Sequence, residues 1–495
     1  MGKGQKQKKT KAQTLSLAEF AAGGAPKVEE VPPEDQAVAK LAEKVASTKL
    51  ADDSLDVIIV GAGAAGIGCA MMLTKTFGLE TSRVLLIERG EAIGETFRRW
   101  PAEMRFISPS FNQQGWTTSF DLNSIAYGTS PAYSLHAEHP SGDEYADYLN
   151  AVASGAKLRV RTLTEVISVD AEGKGFSVGV GDANDFAGLA GRPKKQQQAT
   201  EKLTARYVVW AAGEFQYPRK RSGMVGMELC LHNSRVRSWA RLPGDDFVII
   251  GGYESGADAA INLAKAGKRS TVLASIATWD ICTPDPSTEL APYTAQRLRE
   301  VTAAGFSPRP KLLAPLRVVR VEKAAAGGFN VVAKWKAAER LPPPGPLRKP
   351  IVGEVRGTAS TPAGAEGSEL VVHTAQPPVL CTGFEGSVAS AARHLFNLAD
   401  ESDEAKGCLA GAPLLTADDE STKVPGVFLA GPTVRHGELS FCFIYKFRQR
   451  FAVVANAICR GLGHDTMVPV ELCRKMNMYL DDFACCKSGT CGEAC

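Results

Sequence analysis

The chain has 495 residues, is 44% hydrophobic and carries a formal net charge of +3. That length buries a sizeable core and predicts two or three domains, while so small a net charge gives no basis for nucleic acid as the main substrate. The apolar run Val57 to Leu73 is glycine-rich and slightly short for a membrane span, so no transmembrane helix is expected.

Residues 1–50 hold Lys3, Lys6, Lys8, Lys9 and Lys11, then Thr14-Leu-Ser-Leu-Ala-Glu-Phe20, and have no sustained apolar period. They read as a disordered tail. A Lys-rich stretch followed by Ser-Leu-x-x-Phe resembles the N-terminal segment of some translation initiation factors, which implies weak RNA or ribosome contact. The plainer reading is a solubilising tail, and Glu19, Glu29 and Glu30 argue against a transit peptide.

Asp56-Val-Ile-Ile-Val-Gly-Ala-Gly-Ala-Ala-Gly66 is an apolar strand that runs into a glycine turn and then a helix, expected over Ile67 to Lys75. Gly61 permits the turn, Gly63 leaves bare backbone for a pyrophosphate, and Gly66 lets the helix pack closely on the strand. The unpaired N–H groups at the helix start favour a diphosphate. The next strand, Arg83 to Ile87, ends in Glu88, about 20 residues past the last glycine, where a carboxylate takes both hydroxyls of a ribose.

Residues 94–111 are dense in Arg, Pro and aromatics, and fit either a segment lying along a ligand or a loop pinned to the core by Trp100, Phe106 and Phe111. Ser141, three residues before Glu144, predicts a capped helix start within His139 to Leu149. Strands are expected over Leu158–Val169, Phe176–Val180 and from Tyr207 toward Gly213, with a polar loop around Lys194 to Gln198.

The opening pattern then recurs, about 190 residues on, as Phe247-Val-Ile-Ile-Gly-Gly-Tyr-Glu-Ser-Gly256, with a helix expected over Ala257 to Ala266. Two copies suggest two dinucleotides. Tyr253 stands where the first copy has Gly63, and the following strand ends at Ala274 and Ser275 where the first has Glu88. With no acid to claim both ribose hydroxyls, and with Lys268 and Arg269 nearby, NADPH is favoured over NADH. Residues 341–370 read as a long surface loop. Strands return at Pro378 to Phe384 and at Val424 to Pro432, and an apolar helix follows over Phe441 to Arg460. A start near Leu439 points that helix's positive end at a group that gains negative charge on reduction, such as a flavin's pyrimidine edge.

Together these features resemble the two-dinucleotide FAD/NAD(P)H flavoproteins, which include the flavin-containing monooxygenases and thioredoxin-reductase-like enzymes. The likeness covers residues 55 to about 480. Its markers are Gly61, Gly63, Gly66 and Glu88, the crossings at Ala212-Gly213 and Thr382-Gly383-Phe384, the turn ending at Gly256, and the return strand Val427 to Gly431. The usual Gly-Asp end of that strand is replaced by Gly431-Pro432. Gly226, His232 and Trp239 occupy the region of a monooxygenase signature, though with different spacing.

The resemblance implies an α/β fold with two Rossmann-like nucleotide-binding domains, the NAD(P) domain inserted in the FAD domain. The expected division is a tail at 1–50, FAD domain at 55–242, NAD(P) domain at 243–377, FAD return part at 378–480 and a Cys-rich tail at 481–495. FAD is expected against Gly61, Gly63, Ala65, Gly66, Glu88, Arg89, Arg105, Gly213, Gly383 and Gly431, and the nicotinamide nucleotide against Gly251, Gly252, Glu254, Ser255 and Gly256. His436 and Cys442, flanking the last helix start, are the catalytic candidates; the plain alternative is structural polar contact.

The favoured activity is monooxygenase-like oxidation of a small organic substrate. No Cys-x-x-Cys lies between Gly251 and Gly383, where Cys282 and Cys381 are isolated, and none follows Glu88, which argues against the usual disulfide reductases. Cys485, Cys486, Cys491 and Cys495 keep open a thiol, disulfide or soft-metal reductase, or a metal site. A non-enzymatic flavoprotein sensor is the third reading. Most of the 12 cysteines are isolated in apolar segments, with no secretory signal ahead of them, which suits a cytoplasmic, reducing setting.

Overall fold

The computed structural model describes residues 55–111, 121–183, 199–219, 223–280, 289–337, 365–400, 411–437 and 439–483. The Lys-rich tail, the polar loop at 194–198, most of the loop at 341–370 and the four terminal cysteines lie outside the described residues.

Strand β1 (Leu55–Val60) is buried from Asp56 onward and enters helix α1 (Ala64–Met71), every residue of which is buried. The helix begins three residues before the expected Ile67, because Gly63 has extended backbone and its carbonyl already accepts the Ile67 N–H at 3.0 Å. It runs out as one wider turn over Met72–Thr76, where the Thr74 hydroxyl donates to the Ala70 carbonyl at 2.7 Å. Strand β2 (Val84–Ile87) follows. Helix α2 (Gly142–Gly155) starts with the expected reciprocal cap: Ser141 Oγ accepts the Glu144 N–H at 3.3 Å, and Glu144 Oε2 accepts the Ser141 N–H at 2.7 Å.

The strand expected over Leu158–Val169 is two strands, β3 (Arg159–Arg161) and β4 (Thr164–Glu172), because Leu163 between them takes a left-handed φ of 51°. β5 (Gly175–Asp182) and β6 (Glu201–Trp210) complete this part. The strands run β3-β2-β1-β6-β5-β4, parallel across the first four and antiparallel thereafter.

The second sheet holds β7 (Leu231–His232), β8 (Asp246–Ile250), β9 (Arg269–Leu273), β10 (Lys311–Leu313) and, after a detour, β14 (Val379–Leu380). Its order is β10-β9-β8-β14-β7, all parallel. Helices α3 (Glu254–Lys265) and α4 (Pro292–Thr302) supply apolar faces to its core. The detour is an antiparallel sheet of β11 (Leu316–Lys323), β12 (Phe329–Trp335) and β13 (Glu369–Thr374). β7 and β14 flank the 243–377 span expected for the second unit, so the sheet draws on both sides of it.

The chain then returns to the first sheet. β15 (Val427–Leu429) pairs with the last residues of β6, and helix α5 (Ile444–Gly461) packs on α1. Gly68 permits that approach, since a Cβ there would lie 2.0 Å from the Phe451 ring. The architecture is the expected α/β arrangement of two parallel-sheet units, the second inserted in the first. Among the described residues no helix is long and apolar enough to cross a membrane.

Candidate functional site

The first glycine turn is built by contact. Gly61 has φ of +104°, and a Cβ there would lie 2.6 Å from the Ala211 carbonyl oxygen; one on Gly66 would lie 1.9 Å from the Gly61 carbonyl oxygen. Both positions therefore exclude side chains. Gly63 differs: nothing lies within 4 Å of a Cβ built on it, and its open side faces a cavity of about 390 Å³. Glu88 closes the turn from β2, with Oε2 accepting the Ala62 N–H at 2.8 Å and Oε1 the Gly90 N–H at 2.7 Å. Burial pushes its carboxyl above the usual range against the pull of those two N–H groups.

The cavity gathers much of the predicted set. Gly61, Gly63, Ala65, Glu88, Arg89, Arg105, Gly213, Glu254, Ser255 and Cys442 all line it. Arg89 faces Glu165 at 3.7 Å, and Arg105 donates to the carbonyls of Ala102 (2.7 Å) and Met104 (2.9 Å). Trp100 and Phe106 form part of the wall and also pack against each other at a tilt, ring centres 5.0 Å apart, so this segment both lines the cavity and joins the aromatic packing. Helix α5 begins at Ile444, five residues after the expected Leu439, yet its start still borders the cavity through Cys442, Phe443 and Ile444.

Three buried polar atoms of the lining have no hydrogen-bond partner among the described residues: Trp100 Nε1, Gln216 Nε2 and Asp258 Oδ2. The open Gly63 and the bare start of α1 are what fit a dinucleotide's diphosphate.

The second turn repeats the backbone. Gly251 has φ of +105° and would meet the Cys381 carbonyl oxygen at 2.3 Å, and Gly256 would meet the Gly251 carbonyl oxygen at 1.9 Å. Tyr253 takes the place of Gly63 and donates its hydroxyl to the Glu289 carbonyl at 3.0 Å. Glu254 is claimed by the Ala291 N–H at 2.5 Å and the Thr294 hydroxyl at 2.6 Å. A Cβ on Gly252 would strike Ala274 and Trp279, and Ala274 itself is buried.

Lys268 and Arg269 do not sit where a 2'-phosphate was expected. They stand at the start of β9, about 17 to 20 Å along the strand from Ala274. There Lys268 donates to the Leu242 carbonyl and Arg269 faces Asp246 at 3.6 Å.

Gly66, Gly251, Gly252, Gly256, Gly383 and Gly431 are not among the lining residues, although Pro432, next to Gly431, is. Nor is His436. Its Nε2 lies 2.5 Å from Oδ1 of the fully buried Asp419, which Arg450 grips at both oxygens (2.8 and 2.9 Å). His436 stacks on Phe483, so this imidazole ties the segment after the last helix to the return segment. Burial pushes the Cys230, Cys459 and Cys473 thiols up to about 12, and the Cys69 and Cys381 thiols up as well, so these five stay protonated.

His232 is held neutral. Its Nδ1 accepts the Ser234 N–H at 3.2 Å, which leaves Nε2–H to donate to the Gly383 carbonyl at 3.2 Å, and burial lowers its pKa to about 4.

Several lining residues carry no local signal in the sequence. Asn123, Glu214, Gln216 and Asp258 all border the cavity. Asn123 is placed by long-range bonds, its amide donating to the Ser108 carbonyl (2.8 Å) and Ser110 Oγ (2.9 Å). The loop that carries it is held by the buried Arg448, which donates to the carbonyls of Asp121 (2.5 Å) and Ser124 (2.8 Å).

Comparison with known proteins gives a consistent picture. An uncharacterized oxidoreductase CzcO of Bacillus velezensis is 25% identical over 225 residues, 44% of this chain and 54% of that protein. A CzcO-like oxidoreductase of Geobacillus kaustophilus is 24% identical over 219 residues, 43% of this chain and 52% of that one. The chain thus spans about half the length of the curated relatives it matches.

Among solved structures, the bacillithiol disulfide reductase of Bacillus cereus is 19% identical, with 82% of this chain and 99% of that one covered at a TM-score of 0.55. The ornithine N-hydroxylase of Kutzneria sp. 744 is 16% identical over 83% of this chain and 100% of its own, at 0.57. A flavin-containing monooxygenase from Stenotrophomonas maltophilia is 17% identical over 83% and 100%, at 0.53. At such identities these three show a shared fold. The sequence profile of the pyridine nucleotide-disulphide oxidoreductase family matches residues 58–185 and 194–326, more than half of the chain, and the protein belongs to that family of oxidoreductases.

Proposed function

We propose that the protein is an FAD-dependent NAD(P)H oxidoreductase of the monooxygenase type, acting on a small organic substrate. The observation that carries this reading is the single cavity onto which both the open side of Gly63 and the start of α3, at Glu254 and Ser255, face. Two nucleotide turns that share one cavity suit transfer between two cofactors. Flavin, when bound, supplies hydride acceptance and the passage of electrons to oxygen.

The chain's own residues bind, orient and shield. Gly63 and the free N–H groups opening α1 take the diphosphate. Glu88 still has acceptor capacity for a ribose, since its two protein bonds use about half of a carboxylate's lone pairs. The start of α5 stabilises negative charge on the reduced ring. Trp100, Phe106, Phe443 and Phe447 keep water from the reacting face. NADPH stays the preferred donor because Ala274 offers no carboxylate; Lys268 and Arg269 add nothing to that preference.

One observation favours a second reading, a thiol or disulfide reductase. Cys442 is exposed and lines the cavity, and among the described residues it is the one cysteine there. Steady-state NADPH consumption separates the two. The monooxygenase reading expects oxygen-dependent turnover with peroxide leakage, unchanged by Cys442→Ser or by truncation after Phe483. Turnover that requires a disulfide acceptor and is lost in either variant would replace it with the second.

A further inference from the structure

The segment that walls the cavity is tied to the second sheet by one carboxylate. Glu103 lies between the lining residues Trp100 and Met104, and it reaches a turn about 135 residues away in sequence. Its Oε1 accepts the Ser238 hydroxyl at 2.5 Å and the Ala240 N–H at 3.2 Å, and its Oε2 accepts the Trp239 N–H at 3.0 Å. Beside it the Ala102 N–H donates to the Arg237 carbonyl at 2.9 Å, and Ser238 Oγ also takes the Arg241 N–H at 3.2 Å. One carboxylate therefore organises the whole turn.

Trp239 carries that anchor inward. Its side chain is fully buried in the second core with Phe247 and Ile249 of β8, the strand that ends in the turn at Gly251. Both ends of the tie are thus functional surfaces, the cavity wall on one side and the root of the second nucleotide turn on the other. A second, softer tie runs parallel to it. His139, bonded to the Phe106 carbonyl at 2.7 Å, stacks on Tyr293 of α4 at 3.7 Å.

We propose that Glu103 is a positioning residue: its clasp on the turn at 238–240 sets the register between the cavity wall and the second nucleotide turn, and so aligns the nicotinamide donor with the flavin. The proposal rests on the FAD and NAD(P)H reading above. Small displacements between reacting groups are costly to rate and cheap to binding, so a loosened clasp lowers the transfer step while leaving each nucleotide site intact.

The test uses the full chain with Glu103→Ala and Glu103→Gln. With FAD bound, Glu103→Ala is expected to keep flavin content and to slow anaerobic flavin reduction at saturating NADPH by about tenfold to a hundredfold, with apparent nucleotide affinity changed far less. Glu103→Gln recovers only part of the rate, because its amide oxygen can stand for one carboxylate oxygen while its NH2 opposes the backbone N–H that the other oxygen accepted. Hydrogen exchange on protein without flavin supplies an independent reading: Glu103→Ala raises exchange together in residues 94–106 and 236–242, and not in 55–66. A reduction rate within about twofold of wild type, despite faster exchange at Trp239 and Ala240, overturns the proposal. So does loosening confined to 236–242. If wild type takes up no flavin at all, the functional reading falls and the exchange pattern alone decides whether the clasp couples the two segments.

Discussion

The two glycine turns of this chain have the same backbone and different chemistry. Gly61 and Gly251 have φ of +104° and +105°, and Gly66 and Gly256 each leave 1.9 Å to the carbonyl of the turn's first glycine. Gly63 and Tyr253 open their helices at nearly the same angles, φ −87° and ψ −167° against φ −85° and ψ −162°. What differs is everything a ligand would read. The first turn has bare backbone at Gly63 and the acid Glu88, and the second has Tyr253 and the buried Ala274. Close packing of a helix against its strand dictates the first and third glycines in both copies. The middle position and the acid answer to the nucleotide, and there the copies part.

Substitution at the third glycine should have the largest effect, and the same effect in both copies. Gly66→Ala and Gly256→Ala each force a methyl into a backbone carbonyl, and we expect a loss of about 3 kcal/mol or more, read by chemical denaturation of the flavin-free protein. A tolerated Gly256→Ala beside a damaging Gly66→Ala would show that the second turn is not held as the first is.

The crossings between sheets break the symmetry next. The Gly213 carbonyl accepts the Ser387 N–H at 3.0 Å, a bond indifferent to pH, whereas the Gly383 carbonyl accepts the His232 imidazole. His232 has a folded pKa of about 4 against 6.5 when free, so the unfolded chain binds more protons between those values. Stability is then full above about pH 6.5 and is lost as pH falls toward 4, by up to about 3 kcal/mol. His232→Gln should flatten that slope, and an unchanged slope would mean other groups carry it.

Gly63→Val makes the sharpest distinction between packing and binding. Nothing surrounds a Cβ at this site and the backbone is extended, so the flavin-free protein should keep its stability to within about 1 kcal/mol. Affinity for FAD should fall about a hundredfold, since the side chain fills the diphosphate's place, and titration followed by flavin fluorescence reads it. Tyr253 already bears a side chain at the matching position.

Local rules made the cradles legible in the sequence. Strand, glycine spacing and the acid at Glu88 are consecutive or nearly so, and the Ser141 to Glu144 cap is a contact four residues wide. The cavity's walls were legible only in part, through Arg89 and the aromatic segment at 94–111; Asn123, Glu214 and Asp258 arrive there through bonds and packing between distant segments. Arg448, which holds the Asn123 loop, is more than 300 residues from it. His436 lies outside the cavity lining for the same reason. Its neighbourhood in sequence suggested the cavity, but Asp419 and Arg450 supply a buried ion pair that draws the imidazole away. Lys268 and Arg269 were credited by proximity to the wrong end of β9.

The central claim is that one FAD sits in the cavity and is reduced by the nucleotide bound at the second turn. The most direct measurement is anaerobic stopped-flow absorption of protein incubated with FAD and mixed with NADPH or NADH. The account predicts one retained flavin per chain, bleached by both nucleotides and faster by NADPH, with Gly63→Val retaining none at the same FAD concentration. Protein that keeps no flavin absorption after incubation, or a bound flavin that neither nucleotide reduces, would contradict it.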